Sequence, residues 1–118
     1  MTIQEVADRF FQLSQEGKFN EIQDELFAPN AQSIEPPNAQ GMKSVQGLDA
    51  IKKKGEEWNK MVEEVHSAYS GTPVVAGNHF SVPMGMDLTM KGAGRTKMDE
   101  IAVYEVKDGK IVKEQFFF

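Results

Sequence analysis

The chain has 118 residues, 40% hydrophobic and 26% charged, which suits one globular domain over residues 1–118. It has no cysteine, which excludes disulfides and thiolate metal sites and makes the cytoplasm the expected compartment. A formal net charge of -5 with scattered basic residues argues against nucleic acid as a partner, and no apolar run approaches the ~20 residues of a membrane span.

The start, Met1 to Glu5, is acidic and amphipathic, which argues against a secretory signal. Ile3, Val6, Ala7, Phe10 and Phe11 recur at helical spacing and predict a first helix over residues 3–16. Thr2 with Glu5 three residues on forms a capping-box pattern, and Gly17 is a natural stop. Phe19, Ile22, Leu26 and Phe27 predict a short second helix ending at Pro29-Asn30. Residues 31–35 read as a short strand cut off by Pro36-Pro37, and the polar run 36–47 as a loop with the composition of a mobile lid. A third helix is expected from Leu48 to Met61. Leu48, Ile51, Trp58 and Met61 lie near one stripe of it, with the lysines and glutamates elsewhere. Lys52-Lys53-Lys54 then reads as a solvated helix face.

Strands take over from there, at about 62–75, 79–91, 95–107 and 110–118. Gly77-Asn78 suits a two-residue turn and Gly92-Ala93-Gly94 a longer one. Pro73 and Pro83 each mark an edge, a break or a bulge. Helices first and strands after give an α+β fold class.

Two registers decide which side chains share a face. Phe80, Val82, Met84, Met86, Leu88 and Met90 alternate onto one side. A three-residue loop at Gly92-Ala93-Gly94 sets Leu88 opposite Met98 and Met86 opposite Glu100, with Ala102 and Tyr104 following on the apolar face. A one-residue slip replaces Glu100 by Asp99. At Asp108-Gly109 a two-residue turn puts Lys113, Gln115 and Phe117 on the face of Tyr104. A type I turn with a glycine bulge, pairing Val106 with Lys110, puts Val112, Glu114, Phe116 and Phe118 there instead. The bulge is favoured, because it turns Lys110 and Lys113 outward.

Several segments together carry a resemblance: Glu16-Gly17-Lys18-Phe19, Leu26-Phe27-Ala28-Pro29-Asn30-Ala31, Gln46-Gly47-Leu48-Asp49-Ala50-Ile51 and the terminal Asp108-Gly109-Lys110-Ile111-Val112. Over essentially its whole length the chain resembles the nuclear-transport-factor-2-like superfamily, and within it the SnoaL-like, polyketide cyclase-like branch. The resemblance implies a cone, with three N-terminal helices packed in the concave face of a strongly curved mixed, largely antiparallel sheet. It also implies a pocket between helices and sheet, and in many relatives a dimer through the outer sheet face. It does not fix function, since this superfamily includes cyclases, isomerases, hydrolases and binding domains without chemistry.

Ketosteroid isomerases in this superfamily use an aspartate base, a tyrosine donor and a protonated aspartate donor. The resemblance carries the base onto Glu35, in Ile34-Glu35-Pro36. The tyrosine position falls on Phe10 and the acid position on about Ala102, neither of which can donate. Ketosteroid isomerase activity is therefore not expected. SnoaL-like cyclases instead use a pocket acid to take a proton next to a carbonyl. Glu35 or Glu100 suits that role once burial raises its pKa, and His66 is a further candidate base or partner. Tyr104 is the candidate donor to an enolate oxygen. Trp58 with Met84 and Met86 makes an adaptable apolar wall, joined by Phe10, Ala102, Glu114 and Phe116 as lining residues. Each has a plainer reading as a core, surface or ion-paired residue. No cofactor is expected. Two histidines thirteen positions apart make no metal pattern, and the glycines lack a phosphate-loop context.

Two functions remain in view. One is a cofactor-independent cyclase or isomerase acting on a small hydrophobic carbonyl compound. The other is a non-catalytic ligand-binding or dimerisation module. Phe116-Phe117-Phe118 cannot all face one side of a strand, so one lies outward, and a homodimer through the outer sheet face is expected.

Overall fold

The computed structural model describes residues 1–39 and 41–118. Three helices, α1 (Ile3–Gln15), α2 (Phe19–Leu26) and α3 (Leu48–Met61), precede or interrupt seven strands: β1 (Phe27–Ile34), β2 (Val45–Gln46), β3 (Val62–Ser70), β4 (Val74–Ala76), β5 (His79–Met90), β6 (Gly94–Lys107) and β7 (Lys110–Phe117). The strands form one curved mixed sheet in the order β2-β1-β7-β6-β5-β3, with β4 also on β5. Among the described residues only β1 and β7 pair in parallel. This is the α+β cone expected from the sequence.

The capping box of α1 is present: Thr2 Oγ1 accepts from Glu5 N at 3.2 Å, and Glu5 Oε1 accepts from Thr2 N at 2.8 Å. Its apolar stripe, Val6, Ala7, Phe10 and Leu13, is buried. Arg9 donates to both Glu25 oxygens, at 2.6 and 2.9 Å, tying α1 to α2. The rings of Phe10, Phe80 and Tyr104 lie 4.7–5.5 Å apart between centroids, and Phe27 meets Tyr104 at 6.4 Å. These four aromatics fill the narrow end of the cone.

The main departure lies around Pro29. The sequence expectation ends a helix at Pro29-Asn30 and starts a strand at residue 31. Instead β1 begins at Phe27, directly after α2. Its parallel register to β7 breaks between Phe27 and Gln32, so Pro29 sits in an irregular stretch where its missing N–H interrupts no regular ladder. The run 36–47 also differs from a lid. Val45 and Gln46 form β2 against β1, Ser44 Oγ accepts from Glu35 N at 2.9 Å, and Asn38 Nδ2 donates to Phe118 O at 3.2 Å. Residue 40 of that run lies outside the described residues.

The first long strand splits into β3 and β4 at Gly71-Thr72-Pro73. That gap explains Pro83 inside a long strand: β3 pairs with β5 only as far as Met84, and β4 resumes at Ser81. Pro83 therefore faces the gap, where its carbonyl accepts from Gly71 N at 2.7 Å.

Both uncertain registers are settled. The β5–β6 pairing sets Met86 opposite Met98 and Met84 opposite Glu100, two residues away from the expected pairing. An even shift keeps every side chain on its face, so Glu100 remains inward. At the last hairpin Asp108 (φ 52°) and Gly109 (φ 76°) form the two-residue turn, with Lys107 opposite Lys110. A bulge follows at Val112, inside the strand rather than at the turn. It brings Glu114 opposite Tyr104 and Phe116 opposite Ala102. The favoured face assignment of Glu114 and Phe116 holds, with the extra residue placed elsewhere.

Candidate functional site

The concave face carries one polar row. Ser33 on β1 pairs with Glu114 on β7, Glu114 with Tyr104 on β6, and Tyr104 with Phe80 on β5. The next row toward the mouth holds Phe116, Ala102 and Val82, and the one after that Glu100 and Met84. Alternation places them: each lies an even number of steps along its strand from a core residue. Glu100, Met84, Met86, Met98 and Phe116 remain half-buried, so solvent reaches this end of the face.

From the opposite wall α3 lowers Lys54 onto the row. Its ammonium donates to Ser33 Oγ at 2.6 Å and to Glu35 Oε2 at 3.0 Å, and stands 5.7 Å from the centroid of the Phe116 ring. The Lys54 and Glu35 side chains are only 10% and 8% exposed. Ser33 is fully buried and stands opposite Glu114, which is 7% exposed, in the β1–β7 register.

The acids respond to this enclosure. Burial pushes Glu100 up to about 7; the negative charges of Glu35 and Glu114 add to the rise, and Lys54 opposes it. Burial also pushes Glu114 up to about 7, against the pull of the Ser33 hydroxyl and of Lys54. Tyr104 is held well above its ordinary value by burial and by Glu114 and Glu100, which keeps its hydroxyl protonated near neutrality. The two carboxyls interact, so a charge on Glu114 makes Glu100 harder to ionise.

The expected residues divide accordingly. Glu35, Glu100, Glu114 and Phe116 come together around Lys54, and Tyr104 lies in the core opposite Glu114. Met84 and Met86 share their face, and Trp58 lies half-buried on α3. Phe10 (1% exposed) and Ala102 (0%) are sealed in the core and present no surface to a ligand. His66 is not part of the group. It lies on the other side of the sheet, where its Nε2 meets Thr89 Oγ1 at 2.7 Å and its Nδ1 meets Glu64 at 3.0 Å. The cause is an irregularity between Val62 and Glu64 in the β3–β5 pairing, which sets Glu64 opposite Thr89 and so turns His66, two residues on, to the same outward side.

Sequence reading missed Lys54 and Ser33. Lys54 lies three residues beyond Ile51 and four before Trp58, inside the very stripe that was read as apolar. Its hydrocarbon stem can cross apolar surface while the ammonium reaches its partners. Ser33 lies two residues before Glu35, on the same face of a strand. Among the described residues, no three carboxylate or imidazole groups assemble with metal-site geometry. The cation at this centre is Lys54. Two surface hollows lie among the described residues, the larger of them bordering Ser33. One, of about 270 Å³, runs along β1 and β2 beside Gln32 and Val45; the other, of about 40 Å³, lies outside the sheet at His79 and Glu105. Among the described residues no helix is long and apolar enough to cross a membrane.

Comparison with known proteins agrees with this architecture. The family model for the SnoaL-like domain matches residues 1–118. Among solved structures, the chain is similar to a SnoaL-like polyketide cyclase candidate from Mesorhizobium loti, at 33% identity over 100% of both chains with a TM-score of 0.92. A polyketide cyclase candidate from Sinorhizobium meliloti matches at 18% identity over 96% of this chain and 94% of that one, with a TM-score of 0.68. An NTF2-like protein of unknown function from Burkholderia pseudomallei matches at 13% over 100% and 92%, with a TM-score of 0.77. The last two likenesses show the fold alone. No curated protein matches the chain.

Proposed function

The chain belongs to the SnoaL-like domain family, and from that premise we propose that its concave face takes up a small apolar carbonyl compound and moves a proton on the carbon beside the carbonyl. The observation that carries this reading is Glu100. It is half-buried among Met84, Met86 and Met98 at the open end of the cone, with a carboxyl poised to titrate at about 7. A base works best when its pKa lies near the working pH. Glu100 takes the C–H proton and the electron pair moves onto the carbonyl oxygen. Protonated Glu114 then donates to that oxygen, while Tyr104 stays packed in the core beside it. Return of the proton to a neighbouring atom completes an isomerisation, and attack of the enolate carbon on a second carbonyl completes a ring closure. The name of the Mesorhizobium loti relative, a polyketide cyclase candidate, supports the same chemistry.

Glu35 has a different part. Its carboxylate is held by Lys54, so it shapes the charge around Glu100 rather than receiving the proton. Trp58, the methionines and Phe116 supply a wall that adapts to a flat apolar ligand. A second reading, a binding module without turnover, is favoured by one observation. The narrow end of the cone is filled by Phe10, Phe80 and Tyr104, leaving only the mouth for a ligand. The proposal extends to a homodimer through the outer sheet face, with the cytoplasm as the expected compartment.

The test is proton exchange. A panel of small hydrophobic ketones is incubated with the protein in D2O, and loss of the α-proton signal is followed by NMR. Exchange above buffer that falls by roughly 10²–10⁴-fold in Glu100→Gln supports the base role. Ketones that bind without exchanging support the module reading.

A further inference from the structure

We propose that Ser33 is a positioning residue, whose buried hydroxyl links the Lys54–Glu35 ion pair to Glu114 and so sets how readily Glu114 gives up its proton. The inference deepens the functional reading above, in which Glu114 is the donor, and rests on it only for that consequence. Three observations carry it. Ser33 and Glu114 stand side by side in the parallel β1–β7 register, so their separation is fixed by the backbone. The Ser33 hydroxyl is fully buried and lies 2.6 Å from the Lys54 ammonium, which has hydrogens only to give. The oxygen of Ser33 therefore accepts from Lys54, and its single hydrogen is free to turn to Glu114, its neighbour across the β1–β7 register. A hydroxyl caught between an ammonium and a carboxyl has one orientation available and transmits the charge on one side to the other.

The groups facing Glu114 are Ser33 and Glu35 from the β1 side, Lys54 from α3, and Tyr104 and Glu100 from β6. Of these, Ser33 is hydrogen-bonded to Lys54 and stands opposite Glu114 in the strand register. A ligand that draws Lys54 or Glu35 toward itself at the mouth thereby changes how readily Glu114 gives up its proton, deeper in the cone.

The experiment is a carboxyl ¹³C NMR titration of the full chain, in wild type, Ser33→Ala, Lys54→Met and the double variant. The Glu114 midpoint, about 7 in wild type, moves up by about one pH unit in Ser33→Ala, the equivalent of one hydrogen bond to a charged group. Lys54→Met moves it the same way, and adds distinctly less once Ser33 is gone. An unchanged midpoint in Ser33→Ala, or a Lys54→Met shift of the same size in both backgrounds, overturns the proposal. Should the variants fail to fold, the wild-type Ser33 hydroxyl proton decides. A slowly exchanging resonance with cross-relaxation to the Lys54 side chain supports the link, and a freely exchanging hydroxyl ends it. Ketone exchange in the same samples keeps the two ideas apart, since its absence removes the catalytic reading and leaves the Glu114 result standing.

Discussion

Lys54 on α3 and Glu35 at the end of β1 close on each other at 3.0 Å, both nine-tenths buried, and join the helical wall of the cone to its sheet. Removing one partner strands the other charge in a poorly solvated place. Lys54→Met is expected to lower stability by about 3–5 kcal/mol at neutral pH. The double variant Lys54→Met/Glu35→Gln is expected to recover a large share of that, because no bare charge remains. Urea unfolding of the three proteins measures both effects.

Stability falls as pH rises through the near-neutral range. Glu100 and Glu114 have folded values of about 7 against an ordinary value of 4.5. Between those values the folded protein keeps protons that the unfolded chain releases, so each step upward in pH favours unfolding. Below about 4.5 both states are protonated at these groups, and above about 7 both are ionised, so their part of the slope vanishes at each end. Glu114→Gln is expected to flatten the slope and to gain most over wild type above pH 7. Thermal melts across this window provide the check, and a stability that rises between 4.5 and 7 in step with these two groups contradicts it.

The outer sheet face carries an apolar pair. Ile101 (50% exposed) and Phe117 (49%) stand opposite each other on β6 and β7, with Pro83 beside Ile101 on β5. A homodimer covering this face is expected at micromolar concentration. Ile101→Glu is expected to yield monomer with an unchanged fold. Light scattering with circular dichroism reads both, and a wild-type protein that is only monomeric removes the dimer.

Much of the fold was legible because its signals are local. Helix α3 runs from Leu48 to Met61 as its periodicity and glycine boundary imply, and the Thr2–Glu5 cap forms as written. The inward placement of Glu100 survived a mistaken pairing, since a two-residue shift leaves strand parity intact. What stayed hidden depends on contacts between distant segments. Nothing near Lys54 in sequence announces Ser33, twenty-one residues earlier, or Glu35, nineteen earlier. The same lysine in a triplet looks solvated until the sheet supplies its partners. The β3 irregularity that turns His66 outward arises from pairing with β5, and the bulge at Val112 from pairing with β6 and β1, so neither follows from its own strand.

The most direct test of the central claim is the protonation midpoint of Glu100 itself, read by carboxyl ¹³C NMR in the ligand-free wild-type protein. The half-buried setting, with the charges of Glu35 and Glu114 nearby, is expected to give a midpoint near 7. A midpoint at the ordinary glutamate value would mean a solvated acid with no special readiness to exchange a proton, and would contradict the account.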